Sequence, residues 1–410
     1  TLYQGGNLVL HALGDNTSNP ERLTTAGTII SPGNADYNLW VQAQYSDLMP
    51  IRAANKTIAL TTPISFAGQN VALDNAANQG GLGLEFAGAV TLNGGVLSST
   101  DANARAFANA LTLGGDATLG ATTNNGALSF AGLTDLGATT RTLTVASAVG
   151  FDGVISGAAG LTKEGAGTLT FAAANTYAGA TTVNAGTLVT AAGSLAATAS
   201  IDIGVATLTA VDANAAAVLT VAAGGSASFS GSTVAVASLS GAGDVQLGAT
   251  TFKVGAGNFS GVISGANDSL VKDTAGTLTL SGSNNYTGAT VVSAGTLDLG
   301  ATDAASSSSS LTVNSGAGLA LSSSSSTVPN LTFNNTGTLS FDVASGRILT
   351  VNGNNMAKGG GIKQQLCIAN GVSNCHIPPT RRRKGFRLWN TRNVCFYLNK
   401  SKVVFFVVVE

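Results

Sequence analysis

The sequence predicts an all-β fold, a single-stranded parallel β-helix (β-solenoid) with about 20 residues per coil. Three observations carry that reading: a long internal repeat, a shorter period within it, and alternation of apolar and hydroxyl side chains over short segments. The long repeat pairs residues 153–190 with residues 261–299, at an offset of 108 that becomes 109 after a one-residue insertion. Gly153, Ile155, Gly157, Leu161, Lys163, Gly167, Thr168, Leu169, Asn175, Tyr177, Gly179 and Gly186 all recur. Their counterparts are Gly261, Ile263, Gly265, Leu270, Lys272, Gly276, Thr277, Leu278, Asn284, Tyr286, Gly288 and Gly295.

The shorter period is set by the triplet Gly-Thr-Leu. It begins at Gly167 and Gly186, and again at Gly276 and Gly295, 19 residues apart both times. It returns at Gly337, 42 residues further on, or two steps of 21. Upstream, Leu111, Leu128 and Leu143 open similar patches at steps of 15–17 residues. One strand signal per step implies one coil per step, since a coil cannot bury its apolar face without neighbours stacked above and below. Within the Gly167–Phe171 segment, Leu169 and Phe171 alternate with Thr168 and Thr170. Period two points the apolar residues inward and the β-branched hydroxyls outward. Glycines then supply the corners. The Ala-rich segment 101–111 is the one helix candidate, although the strand signals on either side argue against it.

Composition suits a thin-walled solenoid better than an ordinary enzyme. Of 410 residues, 10% are charged and 6% aromatic, yet 44% are hydrophobic. Typical soluble domains are about 25% charged, and a disordered chain would be less apolar. No run of about 18 apolar residues offers a membrane-spanning helix. The formal net charge of −1 conceals two regimes: residues 1–356 carry nine Lys and Arg against 19 Asp and Glu, whereas residues 357–410 carry ten against one. All three cysteines, Cys367, Cys375 and Cys395, lie in the second regime. Three regions are therefore expected. Residues 1–60 form irregular N-terminal coils and loops, at the start of a fragment whose signal peptide is missing. Residues 61–356 form the β-helix, and residues 357–410 a basic tail that is out of frame or disordered.

The two long copies resemble the passenger-associated transport repeat of bacterial autotransporters, also called the autotransporter-associated β-strand repeat. The matching residues in the first copy are Gly157, Gly160-Leu161-Thr162-Lys163, Gly165-Ala166-Gly167-Thr168-Leu169, Asn175-Thr176-Tyr177-Ala178-Gly179 and Thr182-Val183-Asn184-Ala185-Gly186-Thr187-Leu188. The second copy departs at Asp273 and Thr274, where Gly165 has no equivalent. The resemblance implies a right-handed parallel β-helix passenger of type V secretion, threaded through an outer-membrane translocator barrel and folded at the cell surface. It implies a repeat that aids export and folding, in an adhesin-like surface stalk that could meet a receptor or glycan on a host or neighbouring cell. A translocator barrel would need a few hundred residues of alternating strands, so it is expected to be missing from this chain.

The search for chemistry yields no catalytic, cofactor or metal site. His11 is the one histidine of the body, and a Ser-His-Asp triad would depend on it without a G-x-S-x-G context. Asn267-Asp268-Ser269-Leu270 has the look of a nucleophile block but sits in a repeat loop. Lys163-Glu164 and Lys272-Asp273 read as solvated corner pairs. Asp116, Asp135, Asp152, Asp244 and Asp298 are scattered. Asp135 and Asp152 are separated by roughly the length of one coil and could stack as a carboxylate pair. The alternative function is therefore an extracellular β-helix enzyme that degrades polysaccharide, a lyase or glycosidase, which needs converging carboxylates. In the tail, Arg381-Arg382-Arg383-Lys384 with Phe386, Arg387 and Trp389 resembles a weak nucleic-acid signal. The acidic body opposes it, so no nucleic-acid partner is expected. Cys367, Cys375, His376 and Cys395 lack zinc-knuckle spacing.

Overall fold

The computed structural model describes residues 90–334, apart from positions 100, 101, 124, 306, 323–325 and 329. Residues 1–60 and the tail 357–410, with His11 and the three cysteines, lie outside the described residues. The chain divides into two compact units after Asn214. The described residues of each unit form a stack of parallel coils, and no helix occurs among them.

In the first unit the coils begin with three short strands each. Val90–Leu92, Val96–Ser99 and Arg105–Phe107 form one turn, and Leu111–Leu113, Ala117–Leu119 and Leu128–Phe130 form the next. Thr134–Asp135, Arg141–Val145 and Val149–Phe151 follow, then Ile155–Ser156, Leu161–Glu164 and Thr168–Phe171. Each strand pairs in parallel with its counterpart one coil on, so every coil contributes to three sheets. The sequence signal of one strand per step thus registers only the most regular of the strands in each coil. The first of the three sheets ends at Ile155–Ser156. The next coils keep two strands, Thr181–Val183 with Thr187–Thr190 and Ser200–Ile203 with Thr207–Ala210. The helix reading of 101–111 is overturned: Arg105–Phe107 and the start of Leu111–Leu113 are strands, with Arg105 and Phe107 turned inward. Alanine composition suggested a helix, but stacking against Leu128–Phe130 supplies ladder bonds that propensity alone cannot match.

Inward columns form the core. One runs Phe107, Phe130, Phe151, Phe171, in parallel register. Its first two ring pairs are stacked with centroids 5.0 and 5.2 Å apart, close to the strand spacing of about 4.8 Å. The strand spacing thus brings successive rings within the contact range that aromatic pairs favour, near-parallel in the first two pairs and edge-on at 6.2 Å in the third, Phe151 with Phe171. The alternation in Thr168–Phe171 holds, with Leu169 and Phe171 both fully buried. Burying each such side chain stabilises the stack by about 1.5–3 kcal/mol.

The second unit repeats the design with two strands per coil. Val218–Val221 and Ser226–Phe229 are followed by the nine-residue strands Thr233–Gly241 and Thr251–Phe259, which bend around a corner, and by the shorter Asp244–Leu247 and Ile263–Ser264. Ser269–Lys272, Thr277–Leu280, Thr290–Val292, Thr296–Leu299, Ser310–Val313 and Gly318–Leu321 continue the stack. Its inward column Leu278, Leu297, Leu319 is apolar and buried throughout.

Candidate functional site

The long repeat places four polar side chains inside the stack, the same four in both copies. Lys163 follows Leu161 at period two on strand Leu161–Glu164, so it points inward. Its neighbours in register are Leu143 on the coil before and Val183 on the coil after. Lys272 sits likewise between Val254 and Val292. Lys163 is 1% exposed and Lys272 0%. The solvated corner pairs expected from the sequence are therefore corrected: each lysine stem fills a core column, and only the neighbouring carboxylates, Glu164 and Asp273, remain partly exposed. The Lys163 ammonium ends at a corner, where Nζ donates to the carbonyls of Gly165 at 2.9 Å and Ala185 at 2.8 Å. Lys272 Nζ donates to the carbonyls of Thr274 and, at 3.1 Å, Ala294. Corner carbonyls have left the strand ladder and need a donor. Burial pushes the Lys163 amine down from 10.5 to about 8, against a smaller upward pull from Glu164. Burial lowers Lys272 in the same direction, opposed by Asp273.

The corner that receives the ammonium turns at Gly186, φ 66°, and at Gly295, φ 65°. A Cβ on Gly295 would stand 2.7 Å from the Lys272 Nζ. Left-handed backbone and the carbonyls of Gly276 and Thr274, 2.3 and 2.5 Å from such a Cβ, both require glycine there.

Asn175 and Asn284 close the sheet that ends one coil earlier. Asn175 Oδ1 accepts from the backbone N–H of Ile155 at 2.8 Å, and its Nδ2 donates to the carbonyl of Ser194 at 3.2 Å. Asn284 repeats this with Ile263 N–H at 2.7 Å and the Ala304 carbonyl at 2.8 Å. Among the described residues no strand follows Ile155–Ser156 or Ile263–Ser264 in its sheet, so the amide side chain stands in for a ladder partner there.

The tyrosines begin a relay of hydroxyls. Tyr177 OH lies 2.6 Å from Thr181 Oγ1, which lies 2.9 Å from Thr198 Oγ1, which donates to the Gly179 carbonyl at 2.7 Å. In the second copy the series is Tyr286, Thr290, Ser308 and the Gly288 carbonyl, at 2.7, 2.9 and 2.9 Å. Each hydroxyl can donate once and accept once along the series. Burial pushes both phenols up to about 12, moderated by their threonine partners. Tyr177 also sits edge-on to Phe171, closing the aromatic column.

Other repeat residues serve packing. Leu161, Leu169, Leu270 and Leu278 are buried in the core, whereas Thr168 and Thr277 face outward. Gly179 and Gly288 lie where a Cβ would come within 2.2 Å of backbone atoms of the preceding coil. Gly157, Gly167, Gly265 and Gly276 lie at the turns flanking strands Leu161–Glu164 and Ser269–Lys272. Thr181, Thr290, Thr198 and Ser308 were not singled out from the sequence. Thr181 and Thr290 do share the offset of their neighbours in the long repeat, and that was the available signal.

The scattered carboxylates do not converge. Asp135 stands in register with Thr112 and Ser156, not with Asp152, which follows the strand Val149–Phe151 on another sheet. The expected stacking fails because coil lengths vary: Leu143 pairs with Ala117 on one side and Lys163 on the other, at unequal separations along the chain. Asp135 instead accepts the Gly137 N–H at 2.8 Å, and Asp116 the Thr142 N–H at 2.8 Å. Asp298 accepts from Ser322 and Thr279. Asp268 of the suspected nucleophile block is wholly buried and accepts the Thr250 N–H. Among the described residues no three His, Cys, Asp or Glu side chains gather where they could hold a metal ion.

The profile of the passenger-associated-transport-repeat matches residues 161–189 and 270–299, the two segments that carry the buried lysine, asparagine, tyrosine and threonine. Two segments of the stacked parallel coils are thus similar to the passenger-associated-transport-repeat. The chain is similar to the adhesin BmaC autotransporter of Brucella suis biovar 1 (strain 1330), with 31% identity over 226 residues. That likeness covers 50% of this chain and 6% of the Brucella protein, so the chain spans a small part of the relative's length. No solved structure matches the chain.

Proposed function

We propose that this chain is a non-catalytic stalk of the passenger, which aids export and folding and displays the passenger at the bacterial surface. The observation that carries the reading is the inward commitment of the repeat's polar residues. Lys163, Asn175 and Thr181 and their second-copy counterparts turn inward and bond one coil to another, and Tyr177 and Tyr286 bond the threonines within their own coil, leaving none of the repeat's distinctive chemistry facing a substrate. The separation of Asp135 from Asp152 supports the same reading over a polysaccharide-degrading one. In this role the partner in export is an outer-membrane translocator barrel. The likeness to an adhesin supports a further role in attachment to a receptor or glycan on another cell.

The test is surface display from the native gene in its own host. Paired substitution of Lys163 and Lys272 by Met is expected to lower the amount of protease-resistant passenger on intact cells. Unchanged display together with loss of an enzymatic activity on extracellular polysaccharide would overturn the proposal.

A further inference from the structure

Three buried polar groups of each repeat make a bond one coil forward. Lys163 reaches forward to Ala185, Asn175 to Ser194, and Thr181 to Thr198, each on the coil that follows. Lys272, Asn284 and Thr290 reach forward to Ala294, Ala304 and Ser308. Two of the three receiving residues in each copy lie beyond the matched segments, which end at 189 and 299. Both receiving regions are turns rather than strands, and both are buried where they meet the repeat. Ser194, Leu195 and Thr198 are at most 1% exposed in the first, and Ala304, Ala305 and Ser308 at most 3% in the second. They also hold the repeat by backbone bonds: Ala199 N–H donates to the Ala178 carbonyl at 3.2 Å, and Ser309 N–H to the Gly288 carbonyl at 3.0 Å.

We propose that each repeat is one half of a latch, and that the buried turn carrying Thr198 or Ser308 is the other half. The amide and hydroxyl groups that the repeat coil buries are fully partnered only when that following turn has docked. A buried donor left without its acceptor is destabilising, so the repeat coil closes together with its C-terminal neighbour or after it. The receiving position needs a hydroxyl and not a particular shape, because the two copies differ there: Thr198 in one, Ser308 in the other. The latch stands on geometry alone, whereas its use in export rests on the function proposed above.

The test is hydrogen exchange in solution on the full chain, which involves no export and so separates the two ideas. Thr198→Val keeps the shape and removes the hydroxyl. It is expected to speed amide exchange about tenfold in the repeat coil itself, across residues 175–183. Thr198→Ser should match the parent, and Ser308→Ala should loosen residues 284–292 in the second copy. The latch is overturned if Thr198→Val changes exchange only within residues 191–200. It is equally overturned if Thr198→Ser loosens the coil as much as Thr198→Val, since packing of the methyl would then be the cause.

Discussion

Replacing Lys163 by Met tests whether a charge in an apolar column holds the coils together. Methionine keeps most of the stem volume between Leu143 and Val183 and removes the ammonium. Two partly buried corner carbonyls, those of Gly165 and Ala185, then lose their donor. A fully buried orphan costs about 1–3 kcal/mol, and a partly buried one less. Against that, the variant no longer buries an ammonium, a burden visible in the amine's fall from 10.5 to about 8. The balance is a local destabilisation of about 1–3 kcal/mol, or roughly 5- to 150-fold in a local opening equilibrium. Repeat stacks need not unfold in one step, so the assay is native-state hydrogen exchange across residues 161–190. Glu164→Gln is the control. Glu164 faces outward and bonds Asn184 at 2.6 Å, so its loss should change exchange little. The reasoning fails if Lys163→Met protects these amides better than the parent, because the apolar swap would then outweigh both bonds. It fails too if Glu164→Gln costs as much as Lys163→Met.

Three other outcomes follow from the same geometry. Stability should rise between about pH 8 and 10, because the lowered lysines shed their protons more readily folded than unfolded, and fall above pH 10 as the phenols, held at about 12, resist ionisation only when folded. Denaturant midpoints measured at pH 7, 9.5 and 11.5 would refute this by falling steadily. Gly153→Ala would place a Cβ 2.0 Å from the Gly132 carbonyl, costing about 1–3 kcal/mol; parent-like exchange across residues 149–156 would contradict it. Phe130→Ala removes the ring stacked between Phe107 and Phe151 and should cost about 3–5 kcal/mol, read as an early loss of the near-ultraviolet or fluorescence signal of the first unit on denaturation.

Much of the architecture was legible because it repeats. The alternation at Thr168–Phe171 fixed which side chains face the core, and the regular step between Gly-Thr-Leu triplets fixed the coil. The same alternation places Lys163 on the inward side with Leu161, but its charge argued for solvent, and the charge was the weaker guide. A lysine can bury its stem wherever corner carbonyls wait at the end of it. Coil length was the other blind spot. A spacing close to one coil suggested that Asp135 and Asp152 stack. Yet the chain between Leu119 and Arg141 takes a longer path than its neighbours, and only pairing in three dimensions assigns the two carboxylates to different sheets. The hydroxyl relay was hidden for a different reason: Thr and Ser are everywhere in this sequence, so composition masks the few that are buried.

A solenoid of small residues has a particular weakness that the repeat answers. Columns of Leu and Val are nearly interchangeable, so an apolar coil gains about as much from one neighbour as from another of similar shape. Hydrophobic burial therefore stabilises the stack without choosing which coil lies next to which. Directional bonds can choose. The Lys163 amine meets two corner carbonyls, the Asn175 amide meets a sheet end on one side and a turn on the other, and the Tyr177 relay ends on a glycine carbonyl. A coil displaced by one step would bury these groups against Leu and Val columns, with several donors unsatisfied at about 1–3 kcal/mol each. The penalty falls on the wrong register alone, so a few polar residues in a mostly apolar interior can fix the order of coils whose apolar columns are otherwise alike.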